Sequence, residues 1–281
     1  MALTEEQAKI KRKQLLRDGY CVVPGVLGGG LLSRLREFAD SILDTRSHDP
    51  KFRYQGSDFH VNSERRWRSG RVELPKQALW SPIVDELIDL PEAADACRLL
   101  GFEGQTPDDT IILLSKPPFG PPLYWHQDLM EWNHPQAALP WPTRVFLSYY
   151  LVDTCRENGC LRAIPGTHLR RIPLHDQLPP AHGPEIQAAD LSHPAFQAHP
   201  DEIDLPVKAG DLVINDARLL HAAHPNQTGE RRTLVLQWHS IFPWPTVPTW
   251  WDGPLPDVLE DCDPAAVHEP TRIPGKYLAA Q

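Results

Sequence analysis

From Thr110 onward the chain breaks into short apolar runs, each shorter than an ordinary helix and each fenced by turn residues. The runs are Thr110–Leu114, Leu123–Leu129, Arg144–Val152, Cys160–Ile164, Leu212–Ile214, Leu219–Ala222 and Arg232–His239. Their β-branched, leucine and aromatic content suits strands on a buried, pleated surface. Lys116-Pro117-Pro118, Asn158-Gly159, Pro165-Gly166, Ala209-Gly210-Asp211 and Gln227-Thr228-Gly229 separate them with turn chemistry. The chain before Thr110 is helical in pattern. Glu5 to Arg17 reads as a helix ended near Gly19, and Tyr20–Val23 as a short strand. Leu31, Leu32, Leu35, Phe38, Ile42 and Leu43 recur at helical spacing, and Pro82 to Leu100 holds helical sequence interrupted at Pro91. Helices first and many short strands later predict a mainly β fold, a sandwich or barrel with helices on one outer face. Residues 170–205, with little periodicity and many Pro and His, read as a long insert. No repeat or linker divides the chain, so 1–281 reads as one domain with a core of about 15–240.

Composition narrows the function. With 41% hydrophobic and 23% charged residues, the chain has the make-up of a soluble globular protein. A net charge of -9 argues against nucleic acid and against an anionic membrane surface as partners. No run reaches the roughly 18 apolar residues of a membrane span. The stretch Tyr20–Leu32 lacks the layout of a secretion signal. Cys21, Cys97, Cys155, Cys160 and Cys262 are irregularly spaced and suggest neither a disulfide framework nor a zinc site. A cytoplasmic protein is expected. Proline is the outlier, 30 of 281 residues against a usual usage of roughly 5%. Because these prolines alternate with Trp, Phe and Leu, ordered loops are expected rather than disorder.

Within Leu123–Leu129, His126 and Asp128 stand two residues apart. On a strand such residues share a face and can grip one ion together. His199-Pro200-Asp201 repeats the spacing but sits in a polar, proline-bearing segment unsuited to a central strand, and reads as a loop. An unpaired carboxylate at Asp128 among Tyr124, Trp125 and Leu129 would be costly to bury, and a cation relieves that cost. A third ligand can come from His221 or His224, which have opposite strand parity. His221 follows the apolar pair Leu219-Leu220 and is preferred; His224 abuts Pro225. Two His and one carboxylate with open positions opposite is the set used by non-haem Fe(II) oxygenases. Oxygenases that consume a 2-oxo acid also need a cation for its far carboxylate, a task suited to the planar arginine fork. Arg231 and Arg232 open the last strand. The face of Arg231 continues through Thr233, Val235 and Gln237, and that of Arg232 through Leu234, Leu236 and Trp238. The smaller, mixed face suits a ligand cavity, so Arg231 is preferred, with Arg232 second.

These residues resemble the phytanoyl-CoA dioxygenase family of Fe(II)/2-oxoglutarate-dependent oxygenases. Seven segments carry the resemblance in order: Asp18-Gly19-Tyr20 through Val26, Lys116-Pro117-Pro118, Trp125-His126-Gln127-Asp128-Leu129, Glu157-Asn158-Gly159-Cys160-Leu161, Ile164-Pro165-Gly166-Thr167-His168, Gly210-Asp211-Leu212-Val213, and Leu220-His221 through Arg231. The resemblance implies a double-stranded β-helix (jelly-roll, cupin-like) core, iron held by His126, Asp128 and His221, and 2-oxoglutarate held by the arginine after the distal His, again Arg231. Ala223 and Ser148 depart from the family pattern near the co-substrate without removing a ligand. Because Asp128 is present, the halogenase variant of this chemistry, which replaces the carboxylate, is disfavoured. His168, in the Pro-Gly-Thr-His turn, reads as structural.

The expected function is a dioxygenase that uses Fe(II), 2-oxoglutarate and O2 to hydroxylate a small organic metabolite, of natural-product or amine-bearing type, releasing succinate and CO2. Desaturation, ring closure or epimerisation by the same oxidant are alternatives. So are a non-oxygenase cupin-like metal protein and a small-molecule binding protein. Met130, Trp132, Trp141, Trp238, His239 and Trp244 are the candidate substrate contacts. The Pro/Trp-rich segment 241–281 is a candidate lid. Oligomeric state is left open.

Overall fold

The computed structural model describes residues 3–44, 55–60, 81–102, 105–260, 263, 265–272 and 278, with backbone alone at 55–60 and 108–110; Cys262 lies outside them. Helix α1 (Glu5–Asp18) starts at Thr4, whose hydroxyl accepts from the Gln7 amide while the Gln7 side chain accepts from the Thr4 amide, a reciprocal capping box. Gly19 ends it in the left-handed region at φ 85°, its N–H bonded to the Leu15 carbonyl. Strand β1 (Tyr20–Val23) follows at once. Helix α2 (Gly29–Leu43) buries Leu31, Leu35, Ala39 and Leu43. The Pro82–Leu100 stretch divides into α3 (Pro82–Ile88) and α4 (Pro91–Leu99), each with proline in its first turn, where the missing N–H costs nothing.

The remaining strands are β2 (Gln55–His60), β3 (Thr106–Lys116), β4 (Leu123–His126), β5 (Arg144–Tyr150), β6 (Leu161–Ala163), β7 (Ile203–Leu205), β8 (Leu212–Asp216), β9 (His221–Ala223) and β10 (Arg232–Ser240). They form a six-stranded sheet in the order β1-β8-β5-β10-β3-β2 and a four-stranded sheet in the order β4-β9-β6-β7. All pairs are antiparallel. This is the jelly-roll, mainly β with helices on one side. The strand at 55–60 has no counterpart in the sequence reading. The insert is more ordered than its composition suggests, since it contains α5 (Pro184–Ala188) and β7.

Residue parity divides the larger sheet cleanly. Val145, Leu147 and Tyr149 of β5, Leu212 and Ile214 of β8, Ile111 and Leu113 of β3, and Val235 of β10 pack with the helices in the main core. Their alternating neighbours Phe146, Ser148 and Tyr150, Ile112 and Leu114, and Leu234, Leu236 and Trp238 line a cavity on the opposite face. Alternation follows from the two-residue repeat of a strand.

The Gly19 and Pro-Gly-Thr-His segments meet. His168 is buried and its Nε2–H donates to the Leu16 carbonyl, 3.0 Å away, closing the end of α1. A Cβ on Gly19 would lie 2.8 Å from His168 Nδ1 and 2.9 Å from Leu219 Cδ1. Gly19→Ala therefore combines a left-handed backbone with a clash. It is expected to destabilise by about 1–3 kcal/mol, read as a lowered chemical-denaturation midpoint with an unchanged m-value.

Candidate metal centre

β4 ends at His126, and in the register of the smaller sheet His126 faces His221, the first residue of β9. Their ring centroids are 4.2 Å apart. Asp128 lies past the end of β4, so strand periodicity is not what brings it to the histidines. The 217 carbonyl does so: Ala217 accepts from both the Asp128 amide (2.9 Å) and the Leu129 amide (2.8 Å), turning the chain back over the sheet edge. Asp128 Oδ1 is 3.6 Å from His126 Nε2, and Oδ2 is 3.8 Å from His221 Nε2.

Both imidazoles are oriented in the same way. His126 Nδ1–H donates to the Tyr124 carbonyl and His221 Nδ1–H to the Leu219 carbonyl, each at 2.9 Å. Such bonds fix the tautomer and leave the Nε2 lone pair for a metal. Burial pulls His126 well below its ordinary pKa, and the imidazoles of His221 and His182 add to that. Burial alone would raise Asp128; the nearby His182 and the ligand imidazoles outweigh it and hold the carboxyl below its usual range. Neutral imidazole and ionised carboxylate are the forms that bind metal. An ion held between these three residues would account for two buried imidazoles and a partly buried carboxylate converging with their lone pairs aimed inward.

His182, in the insert, was not anticipated. Tyr124 OH and His182 Nδ1 share a 2.7 Å hydrogen bond, which leaves Nε2 3.6 Å from Asp128 Oδ1. Its backbone is left-handed at φ 59°, a strained conformation for a residue with a Cβ. The segment's lack of periodicity gave no signal for it.

The centre lies in a cavity of about 720 Å³, within the usual range for small-molecule sites, roughly 300–1,000 Å³. The two arginines separate. Arg232 is buried and lines this cavity on the face of Leu234, Leu236 and Trp238. Arg231 points the other way and pairs with Asp40 on α2 (3.5 Å) and with Asp44, the residue capping its C-terminus (2.7 Å). The expectation that the face of Arg231 lines the ligand cavity is thus corrected. The bulky apolar face of β10 lines the cavity, and the smaller face packs toward the helices.

Of the candidate substrate contacts, Met130 and Trp238 line the cavity. Trp132 packs instead with Leu129, Ala137, Ala217 and Leu278, and Trp141 sits in the main core edge-on to Trp251. His239, on the opposite face of β10 from Trp238, is buried, which pulls its pKa down to about 4. Trp244 packs on the main core and edge-on to His134. The aromatic part of the candidate lid therefore covers the helical core: Trp250 donates to the Gly101 carbonyl and stacks under Arg12. His199 accepts from the Asp201 amide in a loop, and His224 pairs with Asp204 at 2.6 Å, so neither competes for the centre. Cys155 and Cys160 are free thiols.

A jelly-roll carrying two histidines and an aspartate in a cavity beside a buried arginine defines the non-haem iron oxygenase class. The profile of the family described as Phytanoyl-CoA dioxygenase (PhyH) matches residues 15–234; the chain belongs to that family, whose oxygenases depend on Fe(II) and 2-oxoglutarate. Among curated relatives, it is 26% identical over 184 residues to a probable alpha-ketoglutarate-dependent hypophosphite dioxygenase of Stutzerimonas stutzeri, covering 62% of this chain and 58% of that one. It is 29% identical over 126 residues to the ectoine dioxygenase of Halomonas elongata, covering 42% and 38%. The matched stretches thus span less than two thirds of either relative. Among solved structures, the epimerase SnoN in complex with Fe3+, alpha ketoglutarate and nogalamycin RO superposes with a TM-score of 0.59 over 98% of both chains at 22% identity. That likeness concerns the fold. No helix among the described residues is long and apolar enough to cross a membrane.

Proposed function

We propose that this protein is a 2-oxoglutarate-dependent iron dioxygenase that hydroxylates a small organic metabolite, releasing succinate and CO2. The observation that carries the reading is the convergence of His126 Nε2, His221 Nε2 and the Asp128 carboxylate at the wall of a largely apolar cavity. Bound Fe(II) with 2-oxoglutarate supplies the oxidising chemistry with O2; the chain supplies binding, orientation and a dry site. His126, Asp128 and His221 hold the metal. The Tyr124 and Leu219 carbonyls keep both imidazoles in the metal-binding tautomer. His182 steadies Asp128 Oδ1, the oxygen that also faces His126. Arg232 takes the far carboxylate of 2-oxoglutarate. Phe146, Leu234, Leu236 and Trp238 shield the reacting carbon from water.

Anaerobic addition of Fe(II) and 2-oxoglutarate tests the reading directly, because chelation gives a visible charge-transfer band. Absence of the band in the wild type would overturn it. Hydroxylation is then read as a 16 Da mass gain on a compound that stimulates succinate release. Arg232→Ala is expected to weaken 2-oxoglutarate binding by about thirtyfold or more, as for loss of one partner of a buried charge pair. Arg231→Ala should leave it within about twofold. The reverse ranking in a titration of the charge-transfer band would restore Arg231 to the role.

A further inference from the structure

The described residues lining the cavity include three arginines, Arg144, Arg232 and Arg272, and one carboxylate, Asp128. Asp128 is committed to the metal and Arg232 to the co-substrate in the function proposed above, on which this inference rests. Arg272 has no such assignment. It reaches the cavity from the C-terminal segment. Its Nη1 donates to the Ala181 carbonyl at 3.0 Å and its Nε lies 3.1 Å from the Met130 sulfur. No carboxylate among the described residues pairs with it, and it is exposed at the mouth.

Its position is held by several contacts. Thr271 forms a parallel bridge with Glu131, and its carbonyl accepts from the Trp132 amide at 3.5 Å. Asn133 donates to the Glu269 carbonyl. Leu278 is buried against Leu129, Trp132, Ala137 and Ala217. The loop that follows Asp128 is thereby tied to the segment carrying Arg272, so the guanidinium is set at a defined place over the rim. A weak sulfur acceptor and one carbonyl leave most of its five donors available to a ligand. The rest of the lining is chiefly aliphatic and aromatic.

We infer that Arg272 selects substrates bearing an oxyanion, a carboxylate or a phosphonate-type group, bound at the cavity mouth while an apolar body occupies the interior. An amine is disfavoured by the same residue: with Asp128 matched to the metal and Arg232 to the co-substrate, the charge of Arg272 is left to repel an ammonium group. The net acidity of the whole chain does not bear on this, because fields inside a low-dielectric cleft are set by the groups lining it.

The test uses matched probes: 4-phenylbutanoate, 3-phenylpropylphosphonate, 4-phenylbutan-1-ol and 4-phenylbutylamine. Each is titrated against full-length protein loaded with Ni(II) and saturating 2-oxoglutarate, following tryptophan fluorescence, since Trp238 lines the cavity. The two acids are expected to bind at least about tenfold tighter than the alcohol, and the amine weakest. Arg272→Ala should erase the preference, and Arg272→Lys should keep part of it. The Fe(II)/2-oxoglutarate charge-transfer band should be unchanged in both variants, which separates loss of this recognition from failure of the metal and co-substrate site. Carboxylate and phosphonate arms tell the two anion classes apart. An acid no tighter than the alcohol in the wild type, including no detectable acid binding, overturns the proposal. So does a preference that survives Arg272→Ala but is lost in Arg232→Ala, which would place the anion at the co-substrate arginine.

Discussion

Asp128→Ala is expected to lose 2-oxoglutarate-dependent succinate release by more than about a hundredfold, since changes merely around a metal's ligands already cost roughly 10–100-fold. The fold should survive. Asp128 sits beyond the end of β4, its amide is held by the Ala217 carbonyl, and that backbone bond does not depend on the side chain. Removing the carboxylate also removes a buried charge, whose cost in the metal-free protein is offset by His182 and the ligand imidazoles. The metal-free variant should therefore melt within a few degrees of the wild type. Added Fe(II) or Ni(II) should raise the melting temperature of the wild type, because a ligand that binds only the folded state stabilises it by mass action, and should fail to raise that of the variant. Succinate release close to the wild-type rate in Asp128→Ala would remove the aspartate from the metal centre and with it the oxygenase reading.

Most of the strands, the helices and the convergence of His126, Asp128 and His221 were legible because each carries a local signal: two-residue alternation, helical spacing, a stop at Gly19, and a His-x-Asp pair with a distant His. The reason given for the pair was only half right. His126 is on the strand, but Asp128 reaches it through a turn anchored on a residue some ninety positions away, which no local pattern encodes. The cavity-lining face of β10 was misjudged for a related reason. Alternation separates Arg231 from Arg232, yet the larger sheet is apolar on both faces, one packed on helices and the other lining the cavity. Side-chain bulk cannot tell a cavity wall from a packed core when both are apolar. His182 and Arg272 were invisible because they come from aperiodic segments whose positions depend on tertiary contacts. The loop tryptophans misled in the opposite direction: Trp132 and Trp141 are too well buried to touch a ligand.

Arg218→Met is expected to destabilise the protein by about 3–5 kcal/mol, the usual cost of leaving a buried charge without its partner. Arg218 and Asp216 are both almost fully buried and joined by two bonds, Nη2 to Oδ2 at 2.6 Å and Nε to Oδ1 at 2.9 Å. The same guanidinium donates to the carbonyls of Ala137, Leu139 and Trp141, so methionine leaves three acceptors as well as the carboxylate unsatisfied. At roughly 2–4 °C per kcal/mol for a chain approaching this size, the melting temperature should fall by about 10 °C. The deficit should depend on pH in a defined direction. In the wild type, burial pushes Asp216 up, but the charge and hydrogen bond of Arg218 prevail and hold its carboxyl below the usual range. A depressed folded-state pKa contributes stability that is present above the unfolded value, about 3.9, and is lost as pH falls through the folded value. Without Arg218, burial acts with less opposition and the carboxyl shifts upward, so the variant is penalised most where the unfolded chain is ionised. The gap between wild type and variant should thus be widest near neutral pH and narrow as pH drops toward 4. Asp216→Leu combined with Arg218→Met removes both charges and should recover part of the loss. The effect should also reach the metal centre, because Ala217, between the paired residues, carries the carbonyl that holds Asp128, and the Arg218 carbonyl accepts from Gln127. Metal affinity of the folded variant is expected to drop along with its stability. A loss below 1 kcal/mol, or a gap that widens toward acid, would show that this buried pair does not anchor the turn that positions Asp128.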